Sequence, residues 1–168
     1  MANEQCLVII KPDGMAKGLA GDVVRELSTT DLKMVGSKVA QVTKELAEEH
    51  YSHLKDKEFF NELIKYIMGH FHHVGSVLAL VYEGENATAK IRNICGATHP
   101  EKAEPTTIRG KFGRVHSQTG VFENVIHASE NAKEAEREIK LWFKPYELIH
   151  NIYPIKRRKE EMETYSWK

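Results

Sequence analysis

The order of apolar patterns along the chain is the feature that most constrains its fold. Four runs have the length and composition of strands, and amphipathic helical stripes separate and follow them. The strand-like runs cover residues 5–10, 34–42, 75–82 and 121–128. The helical stripes cover residues 19–30, 44–53, 58–68, 86–95 and 129–143. The resulting order is β-α-β-αα-β-α-loop-β-α.

Without its central helix pair, this order is βαββαβ, which predicts an α+β, ferredoxin-like (split βαβ) sandwich with a four-stranded antiparallel sheet. We expect helices to cover one face of that sheet, with residues 44–53 and 58–68 as an extra helix pair. The length of 168 residues fits one domain over residues 1–150 and a C-terminal extension over residues 151–168. The charged residues 156–168 favour a solvated surface tail over a basic docking patch.

Composition excludes several classes of protein. Lysine plus arginine and aspartate plus glutamate each number 24, so bulk electrostatics do not favour a nucleic-acid binder. The longest apolar stretch, residues 74–82, is too short to span a membrane, for which about 20 residues are needed. Cys6 and Cys95 have no metal-binding spacing, and we expect free thiols in the cytoplasm, with one disulfide as the alternative.

Residues 96–120 lack periodicity and are rich in glycine and proline. An irregular segment of this length is usually either functional or disordered. The chain has no P-loop, GxGxxG, GxSxG or HExxH motif. If the chain handles phosphate groups, it therefore does so with side chains rather than with a glycine-rich loop.

The most informative segment is Asn124-Val-Ile-His127-Ala-Ser129-Glu130. The patterns place His127 at a strand end, just before a helix N-terminus, where anionic groups are favoured. A neutral imidazole there could act as a nucleophile toward a phosphoryl group. The alternative is a structural histidine at the end of a strand.

Three isolated cations, Lys11, Arg92 and Arg109, could supply charge for phosphate binding, since arginine forks match phosphate oxygens and lysine adds a point charge. The alternative is three solvated surface charges. The cluster of His70, His72 and His73 has no convergent neighbours in the pattern. It favours a surface loop, and we predict no metal site on the protein.

Taken together, several motifs resemble the nucleoside diphosphate kinase family, and they occur in that family's order over residues 3–150. They are Asn124-x-x-His127-Ala-Ser129-Glu130, Ile10-Lys11-Pro12-Asp13-Gly14, Glu49-His50-Tyr51, Phe59-Phe60, Gly96-Ala97-Thr98-x-Pro100, Thr107-Ile108-Arg109-Gly110 and Ala135-Glu136-x-Glu138-Ile139. The resemblance implies a ferredoxin-like fold and ping-pong transfer of the γ-phosphoryl group of a nucleoside triphosphate to a nucleoside diphosphate through a phosphohistidine at His127.

The resemblance also implies roles for the other matched residues. Lys11 and Asn124 would contact the sugar hydroxyls and the terminal phosphate. Tyr51 would lie beside the phosphates and His127, Glu138 would orient the imidazole, and Ser129 would support it from behind. The nucleotide-binding set would hold the phosphates or stack on the base, and comprises Arg92, Thr98, Arg109 and Phe59. Mg²⁺ would arrive with the nucleotide, bridging its phosphate oxygens.

The chain departs from the family pattern in two loops. Residues 68–75 and 111–123 are longer than usual, and the second loop has Phe122 and Glu123 in place of a glycine and a basic residue. Because this loop should border the base, Val121 is not assigned as a base contact.

Two other functions compete with the phosphotransferase. One is a family member whose longer loops impair or redirect the activity. The other is a ferredoxin-like module that binds RNA or small effectors, which would need RRM-type motifs that the chain lacks. The family resemblance also implies a homo-oligomer, either a hexamer or a tetramer.

Overall fold

The computed structural model describes residues 3–118 and 120–157. The strands are β1 (Asn3–Ile10), β2 (Lys33–Gln41), β3 (Ser76–Glu85), β4 (Arg114–Val115), β5 (Phe122–Glu123) and β6 (Ile126–Ala128). The helices are α1 (Pro12–Ala16), α2 (Ala20–Leu27), α3 (Lys44–His50), α4 (Phe60–Ile67), α5 (Ala87–Cys95), α6 (Ile108–Phe112) and α7 (Ala132–Trp142). Short 3-10 turns lie at Ser28–Thr30, Ser52–Leu54, Pro100–Lys102 and Pro145–Glu147. Most of the predicted tail, residues 158–168, lies outside the described residues.

Four strands form the main sheet, in the order β2-β3-β1-β6, and every neighbouring pair is antiparallel. Strands β1 and β2 are therefore parallel to each other with β3 between them, which is the split βαβ arrangement. The predicted ferredoxin-like α+β class is confirmed. The extra helix pair also forms, as α3 and α4.

The prediction that helices cover one face of the sheet is wrong, because both faces are covered. On one face, Cys6, Val8 and Ile10 of β1 pack with residues of α2 and α5. On the other face, Leu7 and Ile9 pack with residues of α3, α4 and α7. The physical reason was visible in the chain: a strand buried on both faces is continuously apolar rather than alternating.

The last predicted strand, residues 121–128, is divided into β5 and β6. Between them Val125 has a φ of +67°, a left-handed conformation that is unfavourable for a β-branched residue. Its amide donates to Asp13 Oδ2 at 2.9 Å, and its carbonyl accepts from the Lys11 amide at 2.8 Å. These bonds fix the turn, so β5 leaves the main sheet and pairs with β4 instead.

The segment predicted to be irregular, residues 96–120, contains the short helix α6 and strand β4. Thr107 caps α6, because its Oγ1 accepts from the Gly110 amide at 3.2 Å. Thr43 and Asn131 cap α3 and α7 in the same way, since their side chains accept from the Leu46 and Glu134 amides. Polar side chains at the N-cap position thus stabilise the first turn of three helices.

After α7 the chain returns across the body of the protein. The Ile149 amide donates to the Val35 carbonyl of β2 at 2.9 Å. The ring of His150 then contacts Glu83 at 2.7 Å, and the Gln5 side chain donates to the His150 carbonyl at 3.0 Å. Cys6 and Cys95 are buried free thiols, as expected. None of the described helices is both long and apolar enough to cross a membrane.

Candidate active site

One cavity of about 780 Å³ gathers nearly all the side chains that the sequence singled out. It is lined by Lys11, Tyr51, Phe59, Arg92, Thr98, Arg109, Asn124, His127 and Glu138. Ser129 is the exception among the predicted site residues, since it is fully buried behind Glu138. The fold therefore brings together residues from the turn after β1, from β6, from five helices or their flanking turns, and from the loop before β6.

His127 lies in the middle of β6, opposite Ile9 of the central strand. Its Nε2 is 3.0 Å from Glu138 Oε2. Because a carboxylate only accepts, the imidazole donates from Nε2, and its lone pair remains on Nδ1. The ring is thus held in one tautomer with its other nitrogen available for reaction.

A second bond fixes Glu138 in turn. Ser129 Oγ donates to Glu138 Oε2 at 2.6 Å and accepts from the Leu7 amide at 3.1 Å. Burial alone would raise the pKa of Glu138, but the adjacent His127 and the two hydrogen bonds outweigh it and hold that pKa below its usual value. The carboxylate therefore stays ionised and is positioned from the central strand.

The environment keeps His127 neutral. Burial lowers the pKa of its imidazole, Glu138 opposes the shift, and the nearby Lys11 and Arg109 lower the pKa further. At neutral pH the ring therefore holds a free lone pair, which a nucleophile requires.

His50 packs against His127, with ring centroids 4.5 Å apart and nearly perpendicular planes. Trp142 Nε1 donates to His50 Nδ1 at 3.1 Å, so the His50 proton must be on Nε2. Side-chain donor atoms of His50, His127 and Glu138 lie within 4.8 Å of one another, which resembles a metal site. A protonated Nε2 has no lone pair to give, so the trio does not fit a metal ion.

Lys11 and Asn124 form a buried pair at the cavity wall. Lys11 Nζ donates to Asn124 Oδ1 at 2.7 Å, and Asn124 Nδ2 donates to the Thr98 carbonyl at 2.8 Å. Burial, reinforced by the neighbouring Arg109, lowers the pKa of Lys11 to about 8. The ammonium is therefore poorly solvated and available to an anion that enters the cavity.

Arg109 is held in place by backbone carbonyls. Its Nη1 donates to Gly96 at 2.8 Å and its Nη2 to Ile126 at 3.0 Å. The guanidinium Nε is buried and has no hydrogen-bond partner among the described residues. Burial also lowers the pKa of Arg109, although the group remains charged. Two hydrogen bonds to backbone carbonyls therefore fix the guanidinium, while its buried Nε has no partner among the described residues.

Tyr51 and Phe59 extend the cavity in different ways. The Tyr51 ring lies 6.3 Å from the ring of His127, and its buried hydroxyl has no partner within the described part of the chain. Phe59 directly precedes α4 and is 55% exposed at the cavity. An exposed ring there can stack on a flat ligand without discriminating strongly between bases.

The helix N-terminus predicted next to His127 is farther along the chain. Helix α7 begins at Ala132, and the Glu134 amide in its first turn is already capped by Asn131 at 3.0 Å. The main contribution of α7 to the site is Glu138. Lysine and arginine side chains, rather than helix amides, thus supply the positive charge around His127.

Sequence reasoning missed Asp13, which is fully buried and organises the cavity floor. Its Oδ1 accepts from the Tyr66 hydroxyl at 2.6 Å and its Oδ2 from the Val125 amide. Lys11 Nζ lies 5.5 Å from the centre of the Tyr66 ring. The Pro12-Asp13-Gly14 segment predicts only a turn, and nothing local reveals that this aspartate bonds a residue 112 positions away.

Comparisons with known proteins identify the family to which the chain is similar. The family model for nucleoside diphosphate kinase matches residues 4–148. The nucleoside diphosphate kinase of Symbiobacterium thermophilum is 47% identical over 140 residues, which are 83% of this chain and 87% of that protein. Nucleoside diphosphate kinase A of Mus musculus is 42% identical over 150 residues, 89% of this chain and 92% of that protein.

Two solved structures are similar in fold. The halophilic nucleoside diphosphate kinase of Halobacterium salinarum, in complex with CDP, superposes with a TM-score of 0.80 at 41% identity, covering 90% of this chain and 95% of that one. The Borrelia burgdorferi enzyme, a transition-state mimic with vanadate and ADP, has a TM-score of 0.78 at 38% identity, covering 90% and 93%.

The fold, the histidine-centred cavity and these relatives define a phosphotransferase. The chain belongs to the nucleoside diphosphate kinase family, and both the family and the enzyme class predicted from the sequence are confirmed.

Proposed function

We propose that the protein transfers the γ-phosphoryl group of a nucleoside triphosphate to a nucleoside diphosphate by a ping-pong mechanism through a phosphohistidine at His127. One observation carries the proposal: Glu138 holds Nε2 at 3.0 Å, which leaves the Nδ1 lone pair in a cavity that also contains Lys11, Arg92 and Arg109. The relatives that bind CDP, or ADP with vanadate, support nucleotides as the ligands.

In the first half-reaction, Nδ1 of His127 forms a bond to the γ-phosphorus. The bond from that phosphorus to the β–γ bridging oxygen breaks, and the nucleoside diphosphate leaves with its electron pair. Glu138 keeps the Nε2 proton in place and stabilises the positive charge that develops on the ring. In the second half, a terminal oxygen of another nucleoside diphosphate attacks the phosphorus, and the histidine is regenerated.

Charge stabilisation should come from side chains that are already in position. Arg92, Thr98 and Arg109 hold the β- and γ-phosphates, since arginine forks match phosphate oxygens. Lys11 and Asn124 contact the sugar hydroxyls and the terminal phosphate. Little reorganisation is needed during the reaction, which is the condition under which fixed charges accelerate phosphoryl transfer most.

The remaining matched residues complete the site. Tyr51 places its hydroxyl near the phosphates, Ser129 supports Glu138, and Phe59 stacks on the base. Mg²⁺ would enter as part of the nucleotide substrate and would offset part of the negative charge of the phosphates.

We also propose that the protein acts in the cytoplasm as a homo-oligomer, either a hexamer or a tetramer. The free buried thiols of Cys6 and Cys95 support a reducing compartment. Strand β2 is an edge strand of the main sheet and exposes Val39, which supports burial of this edge between copies of the chain.

Labelling with γ-³²P ATP tests the phosphohistidine. We expect label on the protein that is stable to base and labile to acid, and that added GDP removes it. His127→Ala should take up no label, whereas His70→Ala, which alters an exposed histidine outside the cavity, should label normally.

The competing functions give different results. A family member with impaired or redirected activity takes up label without passing it to GDP, and a binding module takes up none. Label that persists in the His127→Ala protein would show that another residue carries the phosphoryl group.

A further inference from the structure

The two long loops, which the proposed function does not use, meet beside the cavity. Strands β4 and β5 form a two-stranded hairpin with Arg114 opposite Glu123 and Val115 opposite Phe122. His72, from the other loop, reaches this hairpin with its Nε2 2.9 Å from Glu123 Oε1. The loops are therefore one structural unit rather than two separate surface insertions.

Glu123 anchors the hairpin to the body of the protein. Its side chain is 2% exposed, and Lys17 Nζ and Arg114 Nε donate to its Oε2 at 3.2 and 2.5 Å. Burial would raise the pKa of Glu123, but bonds from Arg114, His72 and Lys17 lower it to about 2. The carboxylate is ionised at physiological pH and bonds cationic or polar groups from three separate segments.

The anchoring of Glu123 also fixes the direction of the side chain before it, that of Phe122. Successive residues of a strand point to opposite sides, so Phe122 faces away from the buried Glu123. Phe122 lines the cavity, whereas Glu123 does not. The Phe122 ring is 38% exposed, and its centroid is 4.4 Å from that of His99. An exposed aromatic ring is therefore held toward the cavity from one side by His99.

Phe122 shares this cavity with Phe59. Of the large apolar side chains that are exposed among residues 3–118 and 120–157, these two line the cavity. They come from different elements, β5 and the start of α4, and the same cavity contains Lys11, Arg109 and His127. A ligand with a polyanionic part and a flat aromatic part would satisfy both sets of groups.

We propose that Phe122 is a second base-binding residue, which packs against the nucleobase in addition to Phe59. This inference rests on the proposed function, because it assumes a nucleotide in the cavity. Aromatic contact scales with overlap, so purine nucleotides, which have two fused rings, gain more from Phe122 than pyrimidine nucleotides. Glu123 fixes the position of Phe122 and thereby influences which nucleotides bind more tightly.

Steady-state kinetics with Phe122→Ala test the proposal. We expect KM for ADP and GDP to rise about five- to tenfold, and KM for CDP and UDP to rise by less than about threefold. The value of kcat should not change, because Phe122 does not touch the reacting atoms. Phe122→Tyr should restore the wild-type KM values, since it keeps the ring.

Two controls separate base contact from a structural role. Val115→Ala alters the strand partner of Phe122 in the same hairpin but does not line the cavity, so its KM values should stay close to wild type. Inhibition by inorganic tripolyphosphate, which has no base, should be unchanged in Phe122→Ala. Equal losses for purines, pyrimidines and tripolyphosphate, or a fall in kcat, would overturn the proposal, as would unchanged KM values.

Calorimetric titration of ADP keeps this inference distinct from the proposed function. If His127 is not the phosphoryl carrier, the wild type takes up no label or His127→Ala still takes it up, yet ADP binding still shows whether Phe122 contributes. A larger loss of affinity for ADP than for CDP after truncation supports the contact. Equal affinity of wild type and Phe122→Ala for ADP refutes it.

Discussion

At the scale of single residues, two side chains each fix a proton in the contacting pair of histidines, His50 and His127. Glu138 holds the proton on Nε2 of His127, and Trp142 fixes the tautomer of the adjacent His50. Burial lowers the pKa of both histidines, so two imidazoles in contact remain neutral. Two protonated imidazoles in contact would repel each other. A proton on Nδ1 of His127 would also prevent this nitrogen from attacking phosphorus.

The pH dependence of kcat/KM should reflect His127 and Lys11. The pKa of His127 is lowered from 6.5, so activity should be lost on the acid side only below about pH 6.5. The pKa of Lys11 is lowered to about 8. Its ammonium loses the proton as the pH rises through that value, and kcat/KM should then fall with a slope of about one per pH unit.

The matched control for this profile is Lys11→Gln. It should have low activity with no alkaline limb, because the titrating group is absent. A wild-type kcat/KM that stays constant up to pH 10 would show that Lys11 is not needed in its charged form.

Sequence patterns predicted which residues form the site better than they predicted which residues hold those side chains in position. The resemblance named ten site residues, and nine of them line one cavity. Asp13 and His50 acquire their roles only through contacts with Val125, Tyr66 and Trp142, which are far away in the chain. Because tertiary packing creates those contacts, no local pattern could assign them.

At the scale of elements, the strands were predictable because burial leaves continuous apolar runs, whereas the turns around the site were not. Helix α6 is only five residues long and carries Arg109. The Thr107 side chain at its start packs closely against Gly96, which has a φ of +81°. A side chain at that position would place a Cβ 2.2 Å from Thr107 Oγ1, the cap of α6.

Gly96→Ala should therefore disrupt the side of the cavity that Arg109 lines. The positive φ and the collision with Thr107 cost about 1–3 kcal/mol or displace α6. Because the Gly96 carbonyl also accepts from Arg109, we expect KM for nucleotides to rise several-fold, together with a lower Tm.

Gly21→Ala is the matched control, since it lies in α2 with no atom within 4 Å of the added Cβ. It should retain wild-type kinetics and gain slightly in stability, because alanine is the better helix former. Wild-type KM values and Tm for Gly96→Ala would show that the packing at Thr107 is not limiting.

At the scale of the whole molecule, the C-terminal segment closes the core over β2. Leu148 packs so near Gly36 that a Cβ on Gly36 would lie 2.4 Å from Leu148 Cδ2. The predicted order of elements ends with α7, and periodicity gives no sign that the residues after it return to the sheet. Shape complementarity between distant segments decides this docking.

Gly36→Ala should loosen the segment and lower Tm. Overpacking of this kind costs about 1–3 kcal/mol, which corresponds to a loss of about 2–10 °C for a domain of this size. The labelling stoichiometry of His127 should be unaffected at 25 °C, because Gly36 does not line the cavity. Differential scanning calorimetry measures the shift.

Gly75→Ala serves as the comparison, because its Cβ would meet only the Met68 carbonyl at an ordinary 3.7 Å. Its Tm should stay within about 2 °C of wild type, as is usual for surface substitutions. Equal Tm values for Gly36→Ala and Gly75→Ala would show that the return of the chain contributes little to stability.

The hydrogen bond from the Leu7 amide to Ser129 has a consequence for how the enzyme loses activity on heating. It ties the support of His127 to β1, the most enclosed strand, whose backbone should be among the last to exchange its hydrogens with solvent. Partial opening at the periphery would leave the imidazole of His127 and the carboxylate of Glu138 aligned. Heat inactivation should therefore coincide with cooperative melting rather than precede it.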